Sequence, residues 1–294
     1  MQQQPILIGV DGGGSRCRVR ARLADGTPLG EAEGGSANIF SDLDGAMGTI
    51  VATATKALAE AGLGVPDLGR CYVGLGLAGA NIPSLAAVLM ARPLPFAARV
   101  LESDAVVACR GAHAGGDGAI AIIGTGTAYV LRHSESFTSI GGWGFALSDH
   151  GSGAYLGRAA LVAGLLAHDG IGPASGLTSA VLERFGRDAA RLVEFADEAR
   201  PGNFGGFAPL VVDLAHAGDP VAEAIMADGQ KHIEAALQRL IDLGAPSVVL
   251  LGGLAPRYRL RLSPGIKAHI AEPKGDALDG ALALAARLLP GAAA

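Results

Sequence analysis

Four glycine-rich loops in the sequence each follow an apolar stretch that is typical of a buried strand. They are DGGGS at 11–15, GLGLAG at 74–79, GTGT at 124–127 and the glycine pair at 252–253. Glycine lets backbone N–H groups approach phosphate oxygens, and hydroxyl side chains such as Ser15, Thr125 and Thr127 add donors. Ligands of open α/β sheets bind beyond the carboxyl ends of strands. The loops 11–15 and 124–127 therefore predict two phosphate-binding turns, although a single glycine-rich hairpin turn is more often only a turn.

The loop at 74–79 also matches the G-x-G-x-x-G pattern of dinucleotide-binding domains. Glu102 follows it at about the spacing of the carboxylate that binds ribose. A Rossmann domain places this motif after its first strand, whereas about 70 residues of hairpin and helix precede it here. That order disfavours the Rossmann interpretation. The absence of a G-x-x-x-x-G-K-[ST] motif disfavours a P-loop NTPase.

Three aspartates, Asp11, Asp104 and Asp149, lie at strand ends or in glycine-rich loops. A carboxylate there can hold Mg²⁺ through water, accept a hydroxyl proton or bind a sugar hydroxyl. Each also has a structural alternative. Asp104 would cap the following helix, with Ser103 as the rival cap, and Asp149 would cap a helix beginning near Ala154. Asp11 would satisfy a tight turn.

The segment Gly141–Gly144 contains Trp143, the only tryptophan of the chain. Glycines around an aromatic ring let backbone and ring together line a polar ligand, and the alternative is a core tryptophan in a loop. The seven histidines are scattered without ligand spacing, so we expect no zinc site.

Composition excludes several classes of protein. The chain has 294 residues, 50% hydrophobic and 17% charged, which predicts about two folded domains and excludes a disordered chain. With a net charge of −5 and no basic block, we expect no nucleic-acid partner and no polybasic membrane anchor. The three cysteines form no CxxC pair, which argues against a disulfide framework. Without a signal-like N-terminus or a long apolar run, we expect a cytoplasmic protein with no membrane association.

The order of predicted elements indicates an internal duplication. The strand–turn–strand pattern of residues 6–20 recurs at 118–132, which suggests two α/β halves. Other predicted elements are a strand at 28–34, a helix at 43–61 capped by Ser41 or Asp42, a helix after Pro83, a mostly helical region at 149–244, a strand at 247–253 and a helix at 276–289. We expect this last helix to pack back on the first half.

Several segments together resemble the BadF/BadG/BcrA/BcrD ATPase family, and within it the N-acetylglucosamine kinase (or glucosamine kinase) branch. They are IGVDGGGS (8–15), GGSANIF (34–40), GLAGA (76–80), LESDAVVA (101–108), IIGTGTAYVL (122–131), GGWGFALSDHGSGAYLGRAAL (141–161), LLGGLA (250–255) and GDALDGAL (275–282). The resemblance implies an actin-like ATPase (sugar kinase/Hsp70/actin) fold, with two RNase-H-like halves and an interdomain cleft. The implied domains are 1–105 with about 277–294, and 106–276 with a helical insert.

The resemblance also implies roles for particular residues, with ATP and Mg²⁺ as cofactors. Asp104 would be the catalytic base, and Asp11 would lie near Mg²⁺, bound through water. The sugar would contact Asn38, Asp104, Gly142, Trp143 and Asp149. ATP would contact Gly12, Gly13, Gly14, Ser15, Gly124, Thr125, Gly126, Thr127, Gly252, Gly253, Asp276 and Ala277.

The implied reaction is ATP-dependent phosphorylation of an amino sugar at its 6-hydroxyl, with N-acetylglucosamine as the first expectation and glucosamine as the alternative. The chain has His150 where this branch commonly has a glutamate, which leaves the identity of the sugar open. Two other functions stay open: an ATPase that activates a dehydratase or reductase, and a non-catalytic regulatory protein. A homodimer also stays open.

Overall fold

The computed structural model of the chain describes residues 4–291, which form two compact units. Unit 1 comprises the residues up to Gly118, residues 132–137 and the residues from Glu272 onward. Unit 2 comprises residues 119–131 and 138–271. The outermost residues of the predicted N-terminal domain, 1–3 and 292–294, lie outside the described residues.

Unit 1 contains one five-stranded sheet with helices, numbered here in chain order over both units. The strands are β1 (Ile6–Gly12), β2 (Cys17–Leu23), β3 (Pro28–Gly34), β4 (Cys71–Leu77) and β5 (Ala98–Ser103). The helices are α1 (Leu43–Ala59), α2 (Pro83–Ala91), α3 (Asp104–Ala112) and α12 (Ala277–Ala286), with a short 3₁₀ helix at Val65–Arg70. The predicted first hairpin, third strand and first two helices are confirmed.

The sheet of unit 1 has the strand order β3-β2-β1-β4-β5, with β1 antiparallel to β2 and parallel to β4. The apolar residues Ile6, Ile8 and Val10 of β1 are fully buried, as expected for a central strand covered on both faces. Of the two caps proposed for α1, the structure assigns Asp42, whose side chain accepts a hydrogen bond from the Gly45 N–H at 2.9 Å.

The last helix packs on the sheet of unit 1, which confirms the expectation that it returns to the first half. Its approach depends on glycines. A Cβ atom at Gly9 would lie 2.7 Å from the Leu278 carbonyl oxygen. Between α12 and α3, a Cβ at Gly111 would overlap the Asp276 carbonyl, and a Cβ at Gly280 would overlap that of Val107.

This close helix contact explains why the unit boundary differs from the predicted domain boundary. The predicted boundary puts residues from 106 onward in the C-terminal domain, whereas all of α3 lies in unit 1, whose first segment ends at Gly118. The residues that hold α3 there are glycines at its contact with α12, and their packing role is invisible in a single sequence.

The G-x-G-x-x-G pattern also has a packing role. Gly74 and Gly76 lie within β4, between β1 and β5 rather than at the start of the sheet. A Cβ at Gly74 would overlap the Ala281 carbonyl, and a Cβ at Gly76 would overlap the side chain of Val107. These glycines therefore admit α12 and α3 side by side onto one face of the sheet, and the Rossmann interpretation is excluded.

Unit 2 contains the second sheet and most of the helices. Its strands are β6 (Gly118–Ile123), β7 (Thr127–His133), β8 (Ser136–Gly141), β9 (Val248–Leu251) and β10 (Ile270–Ala271), of which Gly118 and the tip 132–137 fall with unit 1. Its helices are α4 (Gly153–His168), α5 (Gly176–Arg184), α6 (Ala189–Glu198), α7 (Pro201–Gly205), α8 (Ala208–His216), α9 (Pro220–Asp242), α10 (Ala255–Arg261) and α11 (Pro264–Lys267).

The strand orders of the two sheets confirm the internal duplication. The second sheet has the order β8-β7-β6-β9-β10, which corresponds strand by strand to β3-β2-β1-β4-β5. In each sheet, a central first strand pairs with a hairpin partner on one side and with a parallel strand on the other. The glycine-rich turns that follow β1 and β6 therefore occupy equivalent positions.

None of the helices formed by residues 4–291 combines the length and the apolar character that a membrane span requires.

Substituting Gly111 by Ala tests the contact between α3 and α12. We expect Gly111→Ala to lower the free energy of unfolding by about 1–3 kcal/mol, because the added methyl group must push the helices apart. The matched control is Gly48→Ala in α1, where an added Cβ has no neighbour within 4 Å. This control should raise stability by about 0.5–1 kcal/mol. Thermal unfolding of both variants is the measurement, and a Gly111→Ala midpoint at or above wild type would contradict the packing.

Candidate functional site

The turn after β1, Gly12–Ser15, contains the first predicted phosphate-binding loop. The Ala78 N–H donates to the Gly12 carbonyl at 2.8 Å, so that oxygen is already satisfied. Within residues 4–291, the N–H groups of Gly14 and Ser15 have no hydrogen-bond partner, and both residues are exposed. Unpaired backbone donors at a strand end form the kind of concave donor set that binds anions.

Asp11 lies beside this turn, near the end of β1. Its Oδ2 atom accepts hydrogen bonds from Arg18 Nη2 at 2.6 Å and from Arg18 Nε at 3.1 Å. Its partner is therefore a neighbouring strand rather than the tight turn suggested as its structural alternative. Oδ1 accepts no hydrogen bond from any described residue, so one carboxylate oxygen remains available to water or a cation.

Asp104 is the first residue of α3, and it is not the cap of that helix. Ser103 is the cap, because its Oγ accepts a hydrogen bond from the Val106 N–H at 3.2 Å. Among the described residues, the Asp104 carboxylate accepts one hydrogen bond from another residue, that of the Ala105 N–H at 2.9 Å. Burial raises the pKa of Asp104, and the nearby negative charge of Asp11 raises it further. Asp104 is thus a partly buried carboxylate that no structural role fully occupies.

The second turn, residues 124–127, is held by the segment that leads into α4. Asp149 Oδ1 accepts a hydrogen bond from the Thr127 N–H at 3.1 Å. The N–H groups of Gly153 and Ala154 donate to the carbonyls of residues 124 and 125, at 2.8 and 3.1 Å. Three hydrogen bonds thus connect the segment 149–154 to this turn.

The second turn presents unpaired donors in the same way as the first. Within the described part of the chain, the N–H groups of Thr125 and Gly126 have no hydrogen-bond partner. Because β6 corresponds to β1 in the strand order, the two donor sets lie at equivalent strand ends of the two sheets. This arrangement fits the phosphate-binding prediction for each turn taken by itself.

Asp149 has an unusual backbone and a buried side chain. Its φ of +63° lies in the left-handed region, and the residue is 8% exposed. Burial raises the pKa of Asp149, while the hydrogen bond from Thr127 lowers it in part. Asp149 is not the cap of α4, because Ser152 Oγ accepts the hydrogen bond from the Tyr155 N–H at 3.1 Å. Its carboxylate instead orders the second turn.

A pocket of about 580 Å³ lies within unit 2, beside the second turn. It brings together two predicted nucleotide-binding segments, because Gly124, Thr125 and Gly253 all line it. Gly252 has a φ of +93°, and a Cβ there would lie 2.5 Å from the Ile123 carbonyl oxygen. A glycine at this position therefore lets the loop that follows β9 pass close to Ile123, the last residue of β6.

Several residues that line this pocket were missed by sequence reasoning. Arg257 and Asp213 contribute charged side chains, and Gly205 contributes backbone from α7. The pair Gly205–Gly206 is the one feature in the sequence that could have indicated them. The remaining lining residues are Gly153, Ala208, Pro209, Val212 and Leu254.

The predicted sugar-binding residues Asn38 and Trp143 are both accessible. Asn38 Oδ1 accepts the Phe40 N–H at 2.9 Å, and a Cβ at Gly14 would lie 3.9 Å from Asn38 Nδ2, so the side chain lies beside the first turn. Trp143 is 76% exposed and follows Gly142, whose φ is +72°. The alternative of a core tryptophan is therefore wrong.

Asp276 is already engaged within unit 1. Its side chain caps α12 by accepting the Asp279 N–H at 3.0 Å. Its two oxygens also accept hydrogen bonds from Arg20, at 3.1 and 3.0 Å. Asp276 is thus the cap of α12 and Ala277 is its first residue, whereas Gly252 and Gly253 belong to the loop beside the pocket.

His150, the residue that departs from the family pattern, contacts two other rings. Its ring lies 4.6 Å from that of His232 and 5.5 Å from that of Tyr155, measured between centroids. The neighbouring Asp149 carboxylate bonds to the turn instead. Within residues 4–291, no group of three His, Cys, Asp or Glu side chains could hold a metal ion.

The raised pKa of Asp104 predicts how stability changes when its charge is removed. Because the folded state holds this proton more tightly than the unfolded chain, ionisation at neutral pH lowers the stability of the fold. Asp104→Asn keeps an acceptor for the Ala105 N–H, so we expect a higher unfolding midpoint than wild type at pH 7. The gain should shrink toward acidic pH as the wild-type carboxyl becomes protonated.

Thermal unfolding across this pH range checks the prediction, with Asp25→Asn as control. Asp25 is exposed, and the hydrogen bond from the Thr27 N–H lowers its pKa, so its removal should give no gain at pH 7. An Asp104→Asn variant that is no more stable than wild type at pH 7 would contradict the assigned environment.

Comparisons with known proteins agree over almost the whole chain. Residues 8–282 match the family model of the BadF/BadG/BcrA/BcrD ATPase family. A glucosamine kinase from Vibrio cholerae is 38% identical over 280 residues, which are 95% of each chain. An N-acetyl-D-glucosamine kinase from Dictyostelium discoideum is 27% identical over 243 residues, 76% of this chain and 75% of the relative.

A solved structure described as a candidate N-acetylglucosamine kinase from Chromobacterium violaceum matches with a TM-score of 0.89 at 34% identity. The match covers 96% of this chain and 99% of that one. Together with the duplicated strand order, it confirms the predicted fold class, the α/β actin-like ATPase fold.

Proposed function

The chain belongs to the BadF/BadG/BcrA/BcrD ATPase family, and from that premise we propose that it is an ATP-dependent amino-sugar kinase. The reaction would transfer the γ-phosphoryl group of ATP to the 6-hydroxyl of the sugar. The observation that carries the proposal is the 38% identity to a glucosamine kinase over 95% of both chains. The unpaired donors of the two turns and the Asp104 carboxylate, which no structural role fully occupies, support it independently of that relative.

For ATP, we propose that the turns Gly12–Ser15 and Gly124–Thr127 each bind phosphate oxygens. Their unpaired N–H groups support this role, because backbone donors bind phosphate without needing a charged side chain. We propose that the adenosine contacts the loop Gly252–Gly253 and the pocket beside it, where Arg257 and Asp213 supply polar groups. Asp276 and Ala277 would contribute to ATP binding mainly as the start of α12, which the Asp276 side chain caps.

The donor set around Asp11 is compatible with Mg²⁺. Magnesium in phosphoryl-transfer sites keeps several waters and is held by one or two carboxylates together with substrate phosphates. Asp11 offers one carboxylate oxygen without a hydrogen bond, and within residues 4–291 no larger cluster of ligands competes for the ion. Asp11 would therefore hold Mg²⁺ through water, and the ion would supply charge neutralisation at the phosphates.

For the sugar, we propose contacts from Asn38, Asp104, Gly142, Trp143 and Asp149. Asn38 has its amide nitrogen beside the first turn, and Trp143 offers an exposed ring between left-handed glycines. Aromatic faces and carboxylates suit a polyhydroxylated ring, because the apolar ring face packs on the aromatic group while the hydroxyls donate to the carboxylates.

Asp104 would be the catalytic base. Its raised pKa makes it a stronger proton acceptor than an ordinary surface aspartate. It would accept the proton of the 6-hydroxyl as that oxygen attacks the γ-phosphorus, and ADP would leave. Most of the remaining catalytic effect in such a reaction comes from positioning the phosphates and stabilising their charge, which the two turns would provide.

We propose N-acetylglucosamine as the sugar substrate, with glucosamine as the alternative. The Chromobacterium match favours the acetylated sugar, while the identity to the Vibrio glucosamine kinase favours the free amine. The His150 ring packs on His232 and Tyr155. The activity assay below decides between the two sugars.

The buried cysteines disfavour the alternative of an activator ATPase with an iron–sulfur cluster. Such clusters are held by cysteine thiolates. Cys17, Cys71 and Cys109 are all buried, and burial raises the pKa of Cys17 to about 11 and that of Cys71 to about 12. Cys17 and Cys71 therefore stay protonated inside the fold, and none of the three cysteines is exposed.

The test of the proposal is ADP formation from Mg-ATP with N-acetylglucosamine, glucosamine, glucose or no sugar. We expect strong stimulation by one amino sugar and a 6-phosphate product detectable by mass spectrometry. ATP hydrolysis that is independent of sugar, or no hydrolysis at all, would overturn the kinase assignment.

Asp104→Asn tests the assigned base. We expect turnover to fall by about 10²–10⁴-fold, because the amide cannot accept the hydroxyl proton. Sugar binding, measured by calorimetry, should change little, since an acceptor oxygen remains. The matched control is Asp25→Asn, which removes an exposed carboxylate near a hairpin turn and should leave turnover unchanged. Wild-type turnover in Asp104→Asn would show that another group is the base.

A further inference from the structure

The Tyr258 hydroxyl makes a buried contact with the segment that holds the second turn. Tyr258 lies on α10 and is fully buried. Its O–H donates a hydrogen bond of 2.8 Å to the Gly151 carbonyl, and no other described residue donates to that oxygen. This tyrosine lies outside every motif that the sequence analysis singled out.

Two glycines make room for this hydrogen bond. Gly151 has a φ of +78°, and a Cβ there would lie 2.8 Å from the Gly229 carbonyl oxygen. A Cβ on Gly229 would in turn overlap the Tyr258 hydroxyl. The hydroxyl is therefore enclosed, and burial raises the pKa of Tyr258, so it remains a protonated donor.

In the chain, Tyr258 directly follows residues that line the candidate nucleotide pocket. Helix α10 begins at Ala255, directly after Gly253 and Leu254, and Arg257 precedes Tyr258 in the chain; Gly253, Leu254 and Arg257 all line the pocket. The chain thus runs from the pocket wall into Tyr258. From there, hydrogen bonds lead through the segment 149–154 to the turn 124–127, of which Gly124 and Thr125 also line the pocket.

We propose that Tyr258 is a positioning residue for nucleotide binding, acting through the Gly151 carbonyl on the phosphate-binding turn Gly124–Thr127. The inference rests on the proposed function only in that this turn binds the phosphates of ATP. Tyr258 touches neither substrate. Its hydroxyl sets where the segment 149–154 lies, and that segment sets where the unpaired N–H groups of the turn point.

The physical reason is that a buried carbonyl does not remain without a donor. Removing the hydroxyl leaves the Gly151 oxygen desolvated and unpaired, so the segment shifts to recover a partner. Asp149 and the start of α4 belong to the same segment and bond directly to the turn, so a shift of the segment moves the turn with it. Small displacements of these N–H groups weaken their hydrogen bonds to phosphate, because the groups bind from fixed positions.

The experiment measures the affinity of Tyr258→Phe for Mg-ADP by calorimetry in the absence of sugar. We expect the Kd to rise about tenfold and kcat/KM for ATP to fall by a similar factor, which is the scale of one buried hydrogen bond. The fitted stoichiometry should stay at the wild-type value. The matched control is Tyr155→Phe, which removes a partly buried hydroxyl bonded to Asp228 and should change the Kd by less than about twofold.

A double-mutant cycle with Asp149→Ala separates positioning from general destabilisation. Because both side chains act through one segment, the loss of ADP affinity in the double variant should be clearly smaller than the sum of the single losses. Additive losses would show that the two residues act independently, and a lower stoichiometry at unchanged Kd would show partial unfolding; either result would overturn the proposal. A Tyr258→Phe variant equal to Tyr155→Phe would overturn it as well.

Failure of the kinase assignment would look different. The wild-type protein would then bind Mg-ADP but form no sugar phosphate, and the comparison of the two tyrosine variants by calorimetry would still decide the role of Tyr258.

Discussion

A glycine-rich turn keeps its N–H groups in a fixed orientation when other segments hold its carbonyl oxygens by hydrogen bonds. In unit 1, the N–H of Ala78 satisfies the first turn, and in unit 2 the N–H groups of Gly153 and Ala154 satisfy the second. Much of the surrounding structure follows from this requirement. The loops that leave the neighbouring strands must return to the first strand of each sheet, and the beginning of α4 must lie against the turn rather than in solvent.

Close backbone contacts at glycines determine how helices cover the sheet of unit 1. Backbone atoms of α12 approach β1 and β4 at Gly9 and Gly74, and α3 meets α12 at Gly111 and Gly280. The glycines contribute no side chain to these contacts, so backbone atoms of the neighbouring elements approach closely. A chain with 45 glycines therefore uses many of them for close approach between elements, and fewer for conformational freedom in loops.

The sequence predicts the duplicated halves because their evidence is local: apolar runs for β1 and β6, followed by glycine-rich turns. It also predicts two parts of the pocket, Gly124–Thr125 and Gly253, which follow strands. It does not predict Arg257 or Asp213, because they are ordinary charged residues on helices. It could not decide between Ser103 and Asp104 as a cap either, since both residue types suit that position and only the backbone path selects one.

The boundary of unit 1 is a second feature that the sequence alone does not predict. Helix α3 follows β5 directly and could belong to either half by sequence. What decides its place is the fit between Gly111 and Gly280, two residues far apart in the chain. Tertiary fit of this kind leaves no periodic pattern in a single sequence, whereas helix caps and buried strands do.

The glycine-flanked Trp143 has a consequence beyond substrate contact. As the only tryptophan, it is the source of all indole fluorescence in the chain, and at 76% exposure its emission in the free protein should be that of a solvated ring. Any event that covers this loop changes the emission without background from elsewhere. The chain therefore contains its own single-site optical probe, placed on the loop proposed to contact the sugar, and stopped-flow mixing could follow that loop in real time with no added label.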